Sequence, residues 1–583
     1  MSAPASRAGA WPIIRAYWVS PDSGPGWRLL MAVIALDLTL VWRAARITYW
    51  QKDFYDTLQK MDEAAFWPLL AMLVLLALTG LVLNTARTWL AQSLEMRWRA
   101  WMTDVYLKRW LAGSAFWRLE REQHPAGCSV ENVDQRLAED LRMLASDTLS
   151  LSLGLLSNFV SLFTFSAIVW SMSGVLSITL GGASFEVPGY MLWVALIYAA
   201  GGSWLMEKIG GRMVAIDYRQ QQAEADFRTA LMRIRESAEQ IALYGGGHAE
   251  HARLTALFDA VKHNWRDIMV YTKRITITDN AYTEAGALVP YVLQGPRVLK
   301  GIITMGDLIQ LTQSFMRVRV ALSWFIYKYK SLALLRSTLA RLAEFDAALQ
   351  AAEAASNHTQ DNAQDSAARV PHITRQSGSA TDGYTLQDVQ ALGPRGQALT
   401  PVVNWRIAPG ERWMLRGPSG AGKSTLLRAL AGLWTHGHGH IATPPGAAAA
   451  PRAETLFVPQ QSYLPIDTLR ACLAYPAFET AFSDDDCQAA LRWACLPALT
   501  HRLHESAHWA RQLSPGEQQR LAFARIWLHR PRWLFLDEAT SALDEETEER
   551  LYARLTRDLP GLTLVSIAHR SSLRRFHEHE MQL

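Results

Sequence analysis

The chain has 583 residues, of which half are apolar and 19% charged, and 58 Lys and Arg against 54 Asp and Glu leave a net charge of +4. A surplus that small, spread along the chain rather than packed into one patch, argues against a nucleic-acid partner. Uncharged stretches of 18 or more residues in the first 330 exclude a purely cytosolic enzyme and point to a chain that is half membrane and half soluble.

In chain order, the N-terminal tail 1–26 has no apolar core followed by a small-residue cleavage site, so no cleaved signal peptide is expected and the first span itself targets the chain. A membrane domain follows over 27–346. The clearest span is Phe66 to Ala86, twenty-one residues without a charge, enough for a helix to cross the bilayer. No charge appears between Asp147 and Glu186, where one span is followed by a short, turn-rich connection, SGVLSITLGGASFEVPG, and the next span is Tyr190 to Met206. Three further spans carry charges: Leu29 to Ile47, Ala281 to Leu299 and Ile302 to Ile326, giving six. Trp42, Trp50, Trp67, Trp89, Trp170 and Trp204 sit at the ends of apolar runs, as interfacial belts require.

Arg87 to Arg142 carries nine Lys or Arg and Lys208 to Arg274 carries eleven, whereas the connection between the third and fourth spans carries none; both long segments, both termini and the soluble half therefore belong in the cytoplasm. The helical periodicity of these segments predicts spans that continue below the membrane and turn back. Residues 347–383 are polar and small, predicting a flexible linker, and 384–583 alternates strand, loop and helix as an α/β domain does. Of the four cysteines (Cys128, Cys472, Cys487, Cys495), none shows C-x-x-C spacing, which predicts reduced thiols rather than a disulfide framework.

Gly417-Pro418-Ser419-Gly420-Ala421-Gly422-Lys423-Ser424 fits G-x-x-x-x-G-K-[ST] between a strand-like RWMLR and a helix-like run that begins at Thr425. Its glycines let backbone N–H groups wrap phosphate at a helix N-terminus, Lys423 reaches the β and γ oxygens, and the Ser424 hydroxyl can ligate Mg²⁺. Arg532-Trp-Leu-Phe-Leu-Asp537-Glu538 is an apolar strand ending in two carboxylates, of which Asp537 would hold Mg²⁺ and Glu538 would polarise an attacking water.

Around these motifs, Leu513-Ser-Pro-Gly-Glu-Gln-Gln-Arg520 resembles the signature of ATP-binding cassette (ABC) proteins, Gln460 their Q-loop, Ser541-Ala-Leu-Asp544 their D-loop and His569 in SIAHR their switch histidine. The resemblance implies a six-span α-helical membrane domain followed by an α/β P-loop NTPase, with ATP and Mg²⁺ as cofactors. It assigns ATP contacts to Gly417 through Thr425, Ser514, Gly516 and Asp544, Mg²⁺ to Ser424, Gln460 and Asp537, and catalysis to Glu538, His569 and Gln460. Two cassettes would close head to tail in a homodimer, with Ser514 and Gly516 facing the γ-phosphate held by Lys423 of the partner subunit. Two departures stand out: no aromatic precedes the P-loop where adenine usually stacks (Ala391 to Arg395), and the signature carries Pro515 and Glu517.

In the membrane half, FYDTLQKMD, ENVDQRLAEDLRMLASD, EADFRTALMRIRESAEQ and ALVPYVLQGPRVLKGIITMGDLIQLTQSF look like the SbmA/BacA-type and ABCD-type domains. That likeness implies a bacterial inner-membrane half-transporter that imports hydrophilic solutes such as peptides or cobalamin; movement of fatty acyl-CoA or lipid, or a membrane-anchored regulatory ATPase, are the alternatives. Asp37, Glu284 and Asp307 fall inside spans, either lining a wet cavity or handling protons, or else sitting near span ends or pairing with Arg43, Arg297 and Arg317 to fix packing. Pro290, Gly295 and Pro296 are expected to break the fifth span. His436-Gly-His-Gly-His440 is either a metal-binding loop or a substitute for a glycine-rich turn. Glu224 to Glu250 is either a solvated amphipathic helix or the turn that docks on the soluble domain near Gln460.

Overall fold

A computed structural model gives the fold and describes residues 10–121, 132–180, 183–357, 371–377, 383–393, 396–444, 454–568 and 570–583. The chain divides into two compact units, one of Met1–Leu107 with Asn132–Phe345, the other of Lys108–Glu131 with Asp346–Leu583.

In the first unit, α1 (Ala10–Val19) leads into α2 (Gly24–Lys60), followed by α3 (Glu63–Leu111), which ends in the second unit and is followed there by α4 (Ala115–Arg121). A short α5 (Val133–Gln135) and a π-helical turn precede α6 (Leu141–Ser173); a hairpin of β1 (Val175–Leu180) and β2 (Ala183–Pro188) leads to α7 (Tyr190–Glu236). Then come α8 (Ala238–Leu243), α9 (Gly247–Leu299) and α10 (Met305–Asn357). Six of these helices are long, and at 1.5 Å per residue α9 and α10 each extend ~80 Å, far beyond the ~30 Å of a hydrocarbon core. Among the described residues, two helical stretches, Glu63–Glu120 and Val133–Ser173, are long and apolar enough to cross a membrane. The apolar side chains of the first face outward: Leu75, Leu78, Leu81 and Val82 are all exposed. Helices α2, α6, α7 and α10 share a core of Ala45, Phe165, Ile168, Val169, Met191, Ala195, Leu311 and Phe315.

Several expectations are corrected here. The connection after α6 is an antiparallel hairpin rather than an irregular turn, because Val175, Ile178, Thr179 and Val187 favour extended backbone around a Gly-Gly pair. Pro290 and Pro296 do not break α9: the helix runs through both to Leu299, with Pro296 already in its last turn. Of the six tryptophans expected at the interface, Trp50 is buried and its indole donates to the Leu69 carbonyl, while the other five are exposed. Asp37 and Asp307 are indeed paired, but with Arg87 (2.8 Å) and Lys52 (2.6 Å) rather than with the arginines near them in sequence. Glu284 is exposed. The charged segment Glu224 to Glu250 is not one helix: α7 ends at Glu236, and α8 and a glycine turn reverse the chain.

The second unit holds two sheets. One is parallel, in the order β13 (His579–Gln582), β6 (Arg412–Arg416), β12 (Thr563–Ile567), β11 (Trp533–Asp537), β8 (Thr455–Val458). The other orders β3 (Thr374–Ser377), β7 (Gly437–Thr443), β4 (Tyr384–Ala391), β5 (Val403–Ile407). Nearly every residue of β11 and β12 is buried, as a strand covered on both faces requires. Helix α11 (Lys423–Leu430) packs its Leu426, Leu427 and Leu430 into the core between the sheets. A helical part contains α12 (Leu469–Ala474), α13 (Asp484–Trp493), the short α14 (Trp509–Gln512) and α15 (Pro515–His529), and α16 (Glu545–Asp558) covers the other face. A small ribbon of β9 (Asp467–Thr468) and β10 (Ser506–Ala507) closes it.

The linker expected over 347–383 is shorter than its composition predicts: α10 stays helical to Asn357 and β3 occupies Thr374–Ser377. In that first stretch Arg109 binds Asp346 (2.5 Å) and Glu353 (2.8 Å), and Arg118 donates to the Ala352 carbonyl (2.9 Å), so side chains from α3 and α4 hold the end of α10. Cys472, Cys487 and Cys495 are free thiols, and burial pushes the first two up to about 11; Cys128 lies outside the described residues.

Candidate functional site

The site forms at the carboxyl ends of the parallel strands. β6 and β11 flank β12, so the loop leaving β6 and the acidic end of β11 come together across one strand's width. The loop from Gly417 to Gly422 leads directly into α11, with the Ala421 N–H donating to the Pro418 carbonyl and Ser419 at its tip. Two of its glycines are required by conformation: Gly420 and Gly422 both have φ of +86°, and a Cβ on Gly422 would lie 2.2 Å from the Leu399 carbonyl oxygen. Lys423, only 6% exposed, folds back so that its ammonium donates to the carbonyls of Gly417 (2.7 Å) and Pro418 (3.0 Å).

Ser424, one residue into α11, donates its hydroxyl to Asp537 Oδ1 at 2.9 Å, and Thr425 follows it on the helix. Burial pushes the Asp537 carboxyl above the usual carboxylate range, with the neighbouring Glu538 charge acting in the same direction and the Ser424 hydroxyl opposing it. A half-buried hydroxyl and carboxylate side by side, at a helix N-terminus with a lysine, form an oxygen donor set that fits Mg²⁺ bound to a nucleotide's phosphates. Glu538 follows at φ +49°, a strained left-handed conformation for a side chain of this kind, and accepts from Gln460 Nε2 at 3.2 Å. Gln460, Asp537, Glu538, Lys423 and Ser424 are thus brought together as their motifs predict. His569 lies outside the described residues.

Ser514 is the N-cap of α15, with Gly516 in the first turn. The Glu517 carboxylate accepts from both the Ser514 N–H (2.9 Å) and its hydroxyl (2.8 Å), which holds it below the usual range, so the departure at this position completes a capping box. Asp544 caps α16 by accepting from the Thr547 N–H at 2.8 Å. Sequence reasoning missed Gln519. Buried on α15, it donates to Ser541 Oγ (3.1 Å) and accepts from the Ala542 N–H (2.8 Å), clamping the signature helix to the D-loop. Its spacing of three from Gly516 was the available signal, since it places both residues on one face of the helix.

Just past β4 the Leu392 carbonyl accepts from the Trp434 indole at 3.0 Å; Pro394 and Arg395 lie outside the described residues, and no adenine contact is assigned. The three histidines do not make a loop. His438 and His440 lie on β7, and among the described residues no cluster of three His, Cys, Asp or Glu could hold a metal ion.

The family described as ABC transporter transmembrane region 2 matches residues 13–299, and the one described as ABC transporter matches residues 401–541. An inner membrane ABC transporter ATP-binding protein, YddA of Escherichia coli, is 31% identical over 558 residues, covering 96% of this chain and 94% of that one. The human lysosomal cobalamin transporter ABCD4 is 26% identical, covering 96% and 92%. A bacterial Atm1-family ABC exporter with ATP bound has a similar fold, with a TM-score of 0.66, 18% identity and coverage of 95% and 93%.

Proposed function

Given that this chain belongs to the ABC transporter family, joining one helical membrane domain to one ATP-binding cassette, we propose that it works as a homodimeric half-transporter that imports hydrophilic solutes. The observation that carries the ATPase part is the constellation of Ser424, Asp537, Glu538 and Gln460 at one sheet edge. Ser424 and Asp537, together with Gln460, would hold Mg²⁺, which would supply charge neutralisation for the transferred phosphoryl group. Lys423 leaves its two carbonyls for the β and γ oxygens, Glu538 orients the attacking water, and His569 donates to the departing charge. The head-to-tail dimer places Ser514, Gly516 and the Asp544 loop opposite Lys423 of the partner subunit, so that closure completes each site.

Six long helices per chain, α2, α3, α6, α7, α9 and α10, serve as the six spans, in a bacterial inner membrane with the cassettes in the cytoplasm. Leu243 at the end of α8 and Tyr244 after it are exposed, the latter at 89%, and on the cassette the apolar side chains of Tyr463, Ile466 and Phe478 are exposed too. In the dimer the turn docks on such a surface and carries cassette closure to the spans. Peptides and cobalamin-like molecules are the solute class, in keeping with the SbmA/BacA likeness and with the name of the ABCD4 relative.

Proteoliposomes with cassettes facing out, preloaded with a cobalamin, a hydrophilic peptide and an acyl-CoA, test this directly. Loss of cobalamin or peptide from the lumen with wild type, and not with Glu538→Gln, is expected. Selective loss of acyl-CoA transfers the assignment to lipid movement, and sustained hydrolysis by Glu538→Gln refutes the role given to that carboxylate.

A further inference from the structure

Among the described residues, Arg319 is a buried charge on α10, whereas Arg317, two residues before it, is exposed. Arg319 lies thirteen residues past Gly306, whose N–H donates to Asp56 Oδ1 (3.0 Å) at the end of α2. At 1.5 Å per residue that is ~20 Å along the helix from that contact. The side chain is only 5% exposed, its Nε is enclosed without a partner, and among the described residues it makes no hydrogen bond or ion pair. Its one interaction is with a ring: the guanidinium sits 5.0 Å from the centroid of Tyr282 on α9. Tyr282 stacks on Tyr198 of α7 at 4.7 Å and 11°, and the Tyr198 hydroxyl donates to the Tyr282 carbonyl at 2.5 Å.

Two glycines make room for this stack. A Cβ on Gly202 would lie 2.1 Å from the Tyr282 ring, and one on Gly286 would lie 3.0 Å from the Tyr198 ring and 3.3 Å from Arg319 Cδ. The arginine is therefore held in place by packing, not by a counter-ion. A cation–π contact offsets only part of the cost of burying a guanidinium away from water. Arg43 and Arg297, by comparison, donate to the carbonyls of Leu76 and Ser173. The span carboxylates do not supply the partner either. Asp37 and Asp307 are bound to Arg87 and Lys52, and Glu284, two residues past Tyr282, is ~200° around α9 and exposed.

We infer that Arg319, presented on the Tyr198–Tyr282 stack, is a specificity-determining residue that takes an anionic group of the transported solute, a carboxylate or phosphate, through its planar fork of N–H donors. The inference rests on the transporter reading above and narrows its solute class to molecules carrying such a group.

The test uses the full-length protein in phosphatidylcholine vesicles and two matched pairs of probes: a tripeptide with its C-terminal amide, and an acyl-CoA with the corresponding uncharged acyl-pantetheine. Half-stimulating concentrations for ATPase activity and movement across the vesicle are measured for wild type, Arg319→Gln and Arg319→Lys. In wild type the charged member of one pair is expected to act at a concentration at least about tenfold lower than its neutral partner, and which pair responds separates carboxylate from phosphate. Arg319→Gln abolishes that ratio without weakening the response to the neutral probe. Arg319→Lys, which keeps the charge, retains part of the ratio and shows that the effect is not one of folding. Equal action of charged and neutral probes in wild type, or a ratio unchanged in Arg319→Gln, overturns the site while leaving transport intact. If no probe of either charge crosses or stimulates despite active hydrolysis, the transporter reading falls and the site with it.

Discussion

Gln519 offers the sharpest check on how the cassette is wired. Its amide makes two hydrogen bonds to the D-loop, to Ser541 Oγ at 3.1 Å and from the Ala542 N–H at 2.8 Å, and it is nearly buried on α15. Gln519→Leu keeps most of the volume and removes both. At a net ~1 kcal/mol per bond the D-loop loses about 2 kcal/mol of its preference for the ordered conformation, roughly 30-fold in that equilibrium. Ser541→Ala removes only the first bond, about 1 kcal/mol or roughly fivefold. If turnover requires the ordered D-loop, the maximal ATPase rate of the full-length protein falls by up to these factors. The ATP concentration for half-maximal rate stays near wild type, because Lys423 and Ser424 are untouched. The two substitutions share one interaction, so the double variant should be no slower than Gln519→Leu alone. A Gln519→Leu rate within twofold of wild type, or losses that multiply in the double variant, would refute the clamp.

Asp537 makes a prediction about pH. Because burial raises its pKa, the folded cassette binds the proton more tightly than the unfolded chain; the stability this lends is fully present below the ordinary carboxylate pKa and is lost as pH rises through the raised value. At neutral pH the ionised carboxylate therefore weighs against the nucleotide-free fold. Asp537→Asn should raise the melting temperature there, with a gain that shrinks in acid, while Mg²⁺-dependent hydrolysis is lost throughout; an equal gain at both pH values counts against the burial argument. At the exposed turn, Tyr244→Ala and Glu239→Ala should leave hydrolysis running while solute movement drops, measured side by side in the same vesicles, and unchanged coupling in both would remove the turn from the transmission path.

The cassette was legible in the sequence because its chemistry is local. Gly417 through Ser424 fit a phosphate-binding motif and form a loop leading into α11, where Gly422 has no room for a side chain, and the apolar run ending in Asp537 and Glu538 is a buried strand with its acids at the end. The apolar run of α3 was likewise readable, since it depends on composition summed over about twenty residues. What needed the tertiary structure was pairing at long range. Asp37 and Asp307 lay beside arginines in sequence, yet their partners come from other helices, Arg87 fifty residues on and Lys52 on α2. Gln519 was an ordinary helix position until the fold set Ser541 and Ala542 against it. The prolines of α9 signalled a break, yet the helix runs through both to Leu299, and the polar segment before the cassette signalled a longer linker, whereas α10 stays helical to Asn357 with contacts from Arg109 and Arg118. Arg319 shows the same division most plainly. The sequence shows a charge in a mostly apolar run, but only the packing of Tyr198 and Tyr282 over two glycines shows that it is buried against a ring with no ion-pair partner among the described residues.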